Sequence, residues 1–401
     1  ATQDHDFAEV SRVTLRSAGE LRSVALRNTG MEGAPVGGVK LGAEAAAVAQ
    51  QAAAFLGNNA AAKDLLRCYA SGETMGTAFG KLFSAVFGRL GLILFDPSEE
   101  AVGRLAGSVL AKAAELAPEL TENLLARGRA LENAGYEQQV KVVNSSTLLF
   151  ATVDGARTPV RRVNGEFAIG TRKLKLTQLK QEIATAPQRF SGNALLRPVV
   201  QDFLLPTLAY IGGPAEIAYF AQAGVVYDKL LGRTTPILPR LSATVLDARD
   251  RRIMQRHKLS ALEVLKAGNE LREVLALRDL PAEVDSGFQH VSTVIDSSLE
   301  RLGDGLKRLD PTLAEAGKRA LSKMRYQLKR LRGRAARAQL KRNEELSRHA
   351  AILESSLYRN QELQEREIAG IAFLAQFGEQ FLERLDEAAR GGCKGHLVLP
   401  L

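Results

Sequence analysis

The sequence predicts an α/β domain over residues 1–243 with a small antiparallel insertion, followed over residues 244–401 by a long α-helical coiled-coil domain. Three observations carry this. Short apolar runs ending in turn residues alternate with helix-favouring stretches through the first part. Asp154-Gly155 and Asn164-Gly165 separate apolar runs, the strongest local hairpin signal. Beyond Arg240, apolar residues recur at three, four and seven spacing as far as Leu357.

In chain order, residues 43–66 are rich in Ala, Gln and Leu and predict a helix that Gly72 follows as a stop signal. Residues 74–90 predict another. Leu92-Ile93-Leu94-Phe95 reads as a core strand halted by Asp96-Pro97, which would deliver a carboxylate to the sheet edge where ligands gather in open α/β sheets. Asp96-Pro97-Ser98 reads equally as the start of a helix near Glu100. Val140-Lys141-Val142, Leu148-Leu149-Phe150, residues 160–163 and residues 166–169 predict the strands of the insertion, and 177–184 return to helix.

Residues 205–211 form an apolar and aromatic run consistent with a buried strand, ending at Gly212-Gly213-Pro214. The glycines allow a sharp turn, and Pro214 suits the first turn of a helix. The N–H groups there can face a phosphate or carboxylate, or Glu216 can fill that positive end locally. A tight strand-to-helix connection without a ligand is the plain alternative.

In the second domain, Phe288, Val291, Ile295, Leu302, Leu306 and Leu309 form one seam, interrupted at Asp310-Pro311. Leu321, Met324, Leu328, Leu331, Ala335 and Ala338 form a second, resumed at Leu346, Ala350, Leu353 and Leu357. One helix over 313–358 would be roughly 70 Å long and must pair, with helices over 253–277 and 288–309 or with a second copy of the chain. Residues 367–389 predict an amphipathic helix returning to the body.

The chain has 401 residues, 45% of them hydrophobic, which suits ordered globular protein. No apolar run reaches the length of a membrane span and no leader pattern opens the chain, so a cytoplasmic location is the expectation. Cys68 and Cys393 show no disulfide-framework or zinc spacing. The net charge of +9 is concentrated over residues 318–342, on outward heptad positions with few aromatics. A solvated helix face explains it better than a nucleic-acid surface.

Several polar residues are candidates for chemistry. A His between two carboxylates can be held in one tautomer, so Asp4, His5 and Asp6 are acid/base candidates, with Asp4 and Asp6 sharing one face if the segment is a strand. Gln201 and Asp202 can read hydroxyl or amine groups, Asp202 being the further catalytic candidate. Asn193 and Arg197 are polar anchors, and the Arg197 fork suits a carboxylate or phosphate. Tyr219 is a ligand contact or a core residue. His257, His290 and His349 read as polar helix residues, His396 has no derivable role, and no metal site is predicted.

The block over residues 193–222 resembles the cysteine ligases of bacillithiol biosynthesis. It carries Arg197-Pro198-Val199-Val200-Gln201-Asp202 before the glycines and Tyr219-Phe220-Ala221-Gln222 after them. Asp4-His5-Asp6-Phe7, Leu92-Ile93-Leu94-Phe95-Asp96-Pro97, Pro236-Ile237-Leu238-Pro239-Arg240 and Leu363-Gln364-Glu365-Arg366 resemble further landmarks of that family in the same order. The resemblance implies a Rossmann-like, nucleotidyltransferase-like core and a coiled coil supporting a homodimer. It implies amide formation between cysteine and glucosaminyl malate, with carboxyl activation by ATP or another nucleotide, accompanied by Mg2+. Within that reading Asn193, Arg197, Gln201, Gly212, Gly213, Glu216 and Tyr219 are the candidates for substrate or nucleotide binding. Family members carry a longer N-terminal segment with the first strands and a Gly-His nucleotide signature. The competing expectations are a coiled-coil scaffold or nucleic-acid-associated protein, and a shortened homologue without turnover.

Overall fold

A computed structural model of the chain describes residues 3, 7–27, 33–57, 59–392 and 395–401. Asp4, His5, Asp6 and Cys393 lie outside the described residues. Two compact units partition the chain. One comprises Ala1–Ser17, Arg22–Ser242 and Ile371–Gly395, and the other Ala18–Leu21, Ala243–Gly370 and His396–Leu401.

The first unit is organised by a five-stranded antiparallel sheet. Its strands β1 (Ser146–Val153), β2 (Ala156–Val163), β3 (Glu166–Ile169), β4 (Arg172–Leu174) and β5 (Phe190–Gly192) lie in the order β4-β3-β2-β1-β5. The two hairpins turn where the sequence predicts them. Asp154 (φ 48) with Gly155 (φ 83) and Asn164 (φ 53) with Gly165 (φ 82) supply the paired left-handed residues of a type I′ turn. The expected small insertion is thus the largest sheet among the described residues.

Helices α1 (Glu100–Glu115), α2 (Ala117–Asn133), α3 (Leu176–Thr185), α4 (Arg197–Leu204) and α5 (Pro214–Leu231) build the core with this sheet. Leu110, Leu120, Leu149, Ile183, Leu196 and Tyr227 are buried together there. A crossover unit of the α/β kind follows: β6 (Tyr210–Gly212) pairs in parallel with β7 (Ile237–Pro239), and α5 connects them.

Four local expectations are corrected. Leu92 to Phe95 is not a strand. Ile93 is 88% exposed, and Asp96 Oδ1 accepts the Ser98 N–H at 2.9 Å and the Ser98 hydroxyl at 2.7 Å in a turn ahead of α1. The helix-start reading of Asp96 therefore holds. Val140 to Val142 stays out of the sheet because Gln222 takes both main-chain groups of Val140, each at 2.9 Å. The run before Gly212 is mostly irregular, with Leu208 92% exposed, and only its last residues pair. The helix over 43–66 divides into Ala43–Phe55 and Ala60–Leu66, with Asn59 capping the second by accepting the Ala62 N–H at 3.1 Å. The next helix, Met75–Phe87, stands as predicted behind its Thr74 cap.

The second unit is helical. Strand β8 (Ser242–Leu246) pairs with β9 (His396–Pro400), and between them run α6 (Ala248–Arg256), α7 (Ala261–Ala267), α8 (Leu271–Arg278), α9 (Ala282–Leu309), α10 (Pro311–Arg342) and α11 (Glu344–Leu357). Reversal at Asp310-Pro311 lays α10 against α9. Ion pairs Arg325–Asp296 (2.8 Å) and Arg332–Asp285 (2.6 Å) record the antiparallel register. The single 70 Å helix is not formed. Asn343 ends α10 and caps α11 by accepting the Leu346 N–H at 3.0 Å, while its amide and that of Gln339 both donate to Asp279. Leu346, Ala350, Leu353 and Leu357 then turn inward onto Leu271 and Leu275. In the part of the chain that returns to the first unit, the helix predicted over 367–389 breaks at Gly378 (φ 60) into Gly370–Phe377 and Glu379–Arg390.

Among the described residues no helix is long and apolar enough to cross a membrane.

Candidate functional site

The site grows from an irregularity in β1. Leu148 has φ 64, and the pairing of β1 with β2 shifts register between Ser146 and Phe150. A bulky residue in the left-handed region costs about 1–2 kcal/mol, so its neighbours must hold it there. Thr147 Oγ1 donates to the Val160 carbonyl at 2.6 Å, and the Asn193 N–H donates to the Leu148 carbonyl at 2.8 Å. The bulge thereby ties β1 to the segment leading from β5 into α4.

Asn193 also shapes the turn ahead of that helix. Its Oδ1 accepts the N–H groups of Leu195 (3.0 Å) and Leu196 (3.1 Å). A side chain at Gly192 would meet the Arg197 nitrogen at 3.0 Å, so glycine lets the helix start close over the strand.

Between the bulge, β2 and the start of α5 lies a cavity of about 660 Å3. Arg157, Pro159 and Arg161 line it from one face of β2, since alternate residues of a strand point the same way. Arg157 lies 4.0 Å above the Phe150 ring and donates to the Gly192 carbonyl at 2.7 Å. Lys141 and Arg197 bring the cations to four, against Glu216 as the lining carboxylate. Arg157, Arg161 and Lys141 escaped the sequence analysis. The alternation of Arg157 and Arg161 around Pro159 was the available signal.

Glu216 fills the positive end of α5. Its Oε2 accepts the Gly213 N–H at 2.9 Å, and its Oε1 accepts from Tyr210 (2.7 Å) and Tyr219 (3.3 Å). Arg197 Nη2 donates to the Tyr219 hydroxyl at 2.9 Å and stands 3.8 Å from Glu216. Partial burial pushes the Glu216 pKa up, but the Gly213 N–H, the Tyr210 hydroxyl and the Arg197 guanidinium outweigh it and hold the group ionised below the ordinary carboxylate range. Burial pushes the Tyr210 and Tyr219 hydroxyls up, keeping both as donors.

Of the two readings of this helix start, the structure has the local one, with Glu216 and not a ligand anion at the N–H groups. Nor do the glycines supply a left-handed turn: Gly213 has φ −74. They permit close approach instead. A Cβ on Gly212 would meet Ile237 at 2.9 Å, and one on Gly213 would meet Arg240 at 3.0 Å.

The structure brings Asn193, Arg197, Glu216 and Tyr219 together on one cavity. Asp202 lies outside its lining. The carboxylate is buried, accepting from Arg233 at 2.9 Å and from Thr235. Gln201 lines a separate, smaller cavity that also touches Arg197. Among the described residues no group of three or more His, Cys, Asp or Glu side chains is arranged to hold a metal ion.

A cation-lined cavity in an α/β unit, followed in sequence by a helical coiled coil, defines a two-domain Rossmann-like protein. Residues 1–241 match the family model described as bacillithiol biosynthesis BshC, N-terminal Rossmann-like domain. Residues 243–401 match the C-terminal coiled-coil domain of the same family. The chain belongs to the BshC family.

Similar proteins include one from Koribacter versatilis, 42% identical over 400 residues, covering all of this chain and 75% of the relative. One from Solibacter usitatus is 36% identical over 401 residues, covering all of this chain and 76% of the relative. One from Chlorobaculum tepidum is 28% identical over 421 residues, covering all of this chain and 74% of the relative. Each bears the name "Putative cysteine ligase BshC".

Proposed function

We propose that this protein is a ligase that forms the amide bond between the carboxyl group of cysteine and the amine of glucosaminyl malate, giving bacillithiol. The observation that carries the proposal is a cavity with four cations and one lining carboxylate, in a chain of this family. Malate contributes two carboxylates at neutral pH, and an arginine fork binds such groups through paired charge-assisted hydrogen bonds.

A free carboxylate has no adequate leaving group, so ATP or another nucleotide, accompanied by Mg2+, is assigned as co-substrate to supply one. Its phosphates suit Arg157, Arg161 and Lys141, because the Glu216 carboxylate already occupies the helix start. Overall, the amine forms the C–N bond as the carboxyl C–O bond breaks; that oxygen would leave on a phosphoryl or nucleotidyl group of the nucleotide, one phosphoanhydride bond being cleaved, and the ammonium gives up a proton to the base. Glu216 is held ionised by its donors and by Arg197, which makes it a poor base and a good orienting group. The proton acceptor is assigned to the group Asp4, His5 and Asp6 on the acid/base chemistry of a His between two carboxylates.

Homodimerisation is part of the same proposal. Val291 and Leu302 on α9 and Met324 and Leu331 on α10 belong to the predicted seams, yet remain 42–55% exposed in the single chain. A second copy would cover them. Light scattering at micromolar concentration should return twice the chain mass.

The decisive assay incubates the purified 401-residue chain with cysteine, glucosaminyl malate and Mg-ATP and looks for bacillithiol by mass spectrometry. Folded protein yielding none with any nucleoside triphosphate would refute the proposal.

A further inference from the structure

Between Lys318 and Arg342, α10 carries eleven lysines and arginines and no acidic residue. Three of these cations are neutralised in the fold, Lys318 by Glu315, Arg325 by Asp296 and Arg332 by Asp285. Among the described residues Lys323, Arg330, Arg334, Arg337 and Lys341 make no hydrogen bond or ion pair. At about 100° per residue these five fall within about 60° of arc along about 27 Å of the helix, and all are exposed. The last four line an open cleft of about 430 Å3 with Ala338. Tyr326, 61% exposed, stands about one turn before Arg330 at the edge of the same stripe. Arg330, Arg334, Arg337 and Lys341 follow one another at four, three and four residues, the spacings at which like charges destabilise a helix. A face that meets only water intersperses its signs, and this one does not.

We propose that this stripe is a docking surface for single-stranded nucleic acid, the five cations following the phosphodiester backbone and Tyr326 stacking on a base. Surfaces that bind single strands combine a basic track with exposed aromatic rings, and arginine forks suit phosphate oxygens. The opposite side of α10 packs on α8 and α9, so the helix has no apolar face to sink among lipid chains. The stripe itself holds no large apolar side chain, which the core of a protein interface requires. A second copy seated on Met324 and Leu331, as proposed above, meets α10 about 100° round from the stripe and leaves it open. A bound polyanion relieves the repulsion along α10. The stripe uses none of the residues of the cation-lined cavity, so the proposal stands apart from the ligase reading.

The test is fluorescence anisotropy of a labelled oligo(dT), long enough to span the stripe, titrated with the full chain over a series of salt concentrations. Five neutralised phosphates predict that log K falls against log salt with a slope of about −3.5. Arg334→Glu combined with Arg337→Glu should weaken binding about tenfold or more and flatten the slope by about 1.4 or more. The melting temperature of that variant should hold or rise, because like-charge pairs are removed. Tyr326→Ala should weaken binding about fivefold or more at an unchanged slope. Lys63→Glu combined with Lys173→Glu removes the same charge from exposed positions of the first unit and should leave the affinity within about twofold. Folded protein that fails to bind the oligonucleotide at low salt overturns the proposal. Equal weakening by the control pair does so too, as does tighter binding of a duplex of the same length. Capture of phosphatidylserine vesicles that is lost in the stripe variant, without oligonucleotide binding, reassigns the surface to an anionic membrane and overturns it as well.

Discussion

The Gly213 N–H donates to the Glu216 carboxylate across 2.9 Å, so the first turn of α5 satisfies its own positive end. An anionic ligand in the neighbouring cavity must therefore be met by side-chain cations.

Glu216→Gln keeps the shape of this contact and removes its charge. The variant should lose about 1 kcal/mol of stability at neutral pH. Because the folded-state pKa of Glu216 is depressed, its contribution is present above the ordinary carboxylate range and is lost as pH falls through the folded value. Urea midpoints followed from neutral to acid pH should fall more steeply for wild type than for the variant.

Arg161 is exposed and lines the cavity, and among the described residues it makes no ion pair. Arg161→Ala should raise KM for the anionic substrate about tenfold, the worth of one charge-assisted hydrogen bond, with an unchanged melting temperature. Arg157→Ala should raise KM and also lower the melting temperature, since Arg157 packs on Phe150 and bonds Gly192. Equal behaviour of the two variants in both measurements would contradict this division.

Asp202→Ala leaves Arg233 and Thr235 without their acceptor. Breaking a buried pair costs about 3 kcal/mol or more, and the half-exposed Arg233 places this one at the low end. Chemical denaturation should show that loss. In the fraction that remains folded, kcat should stay within a few-fold of wild type, as expected of a residue outside the cavity.

His257 Nε2 and His349 Nδ1 lie 2.9 Å apart between α6 and α11, with the Arg256–Glu345 pair, Arg249, Arg348 and Asp279 around them. Burial, followed by the neighbouring imidazole, lowers the His257 pKa, and burial lowers that of His349 against the opposing pull of Glu345. The unfolded chain takes up protons near the ordinary pKa of about 6.5, before the folded pair does. Stability is thus present above that value and falls as pH drops below it. His257→Gln should flatten the decline in urea midpoint between pH 7 and pH 5, and an equally steep decline would exclude the pair as its source.

Local signals were legible where a few neighbouring residues decide the backbone. Asp154-Gly155 and Asn164-Gly165 demand left-handed pairs, Pro214 starts a helix, and Asp310-Pro311 reverses one. Leu92 to Phe95 misled because an apolar tetrapeptide carries no information about a pairing partner. Val140 misled because Gln222, far along the chain, supplies its hydrogen bonds. Asn193, Arg197, Glu216 and Tyr219 were within reach of the sequence as a group, since they lie close along the chain around one helix-to-helix passage. The opposite wall comes from β2, and its arginines look like ordinary strand-surface residues until the sheet folds over.

The sequence alone determined the hairpin turns, the helix starts at Pro214 and Pro311, the helical second domain and the family, because each depends on spacing within a short stretch or on matched residues along the chain. Tertiary structure alone decided which side chains share a space. It buried Asp202 against Arg233, filled the start of α5 with Glu216 and set Arg157 and Arg161 across from Arg197. These outcomes turn on packing and hydrogen bonding between segments tens of residues apart, which compete for the same buried positions and leave no periodic trace in the chain.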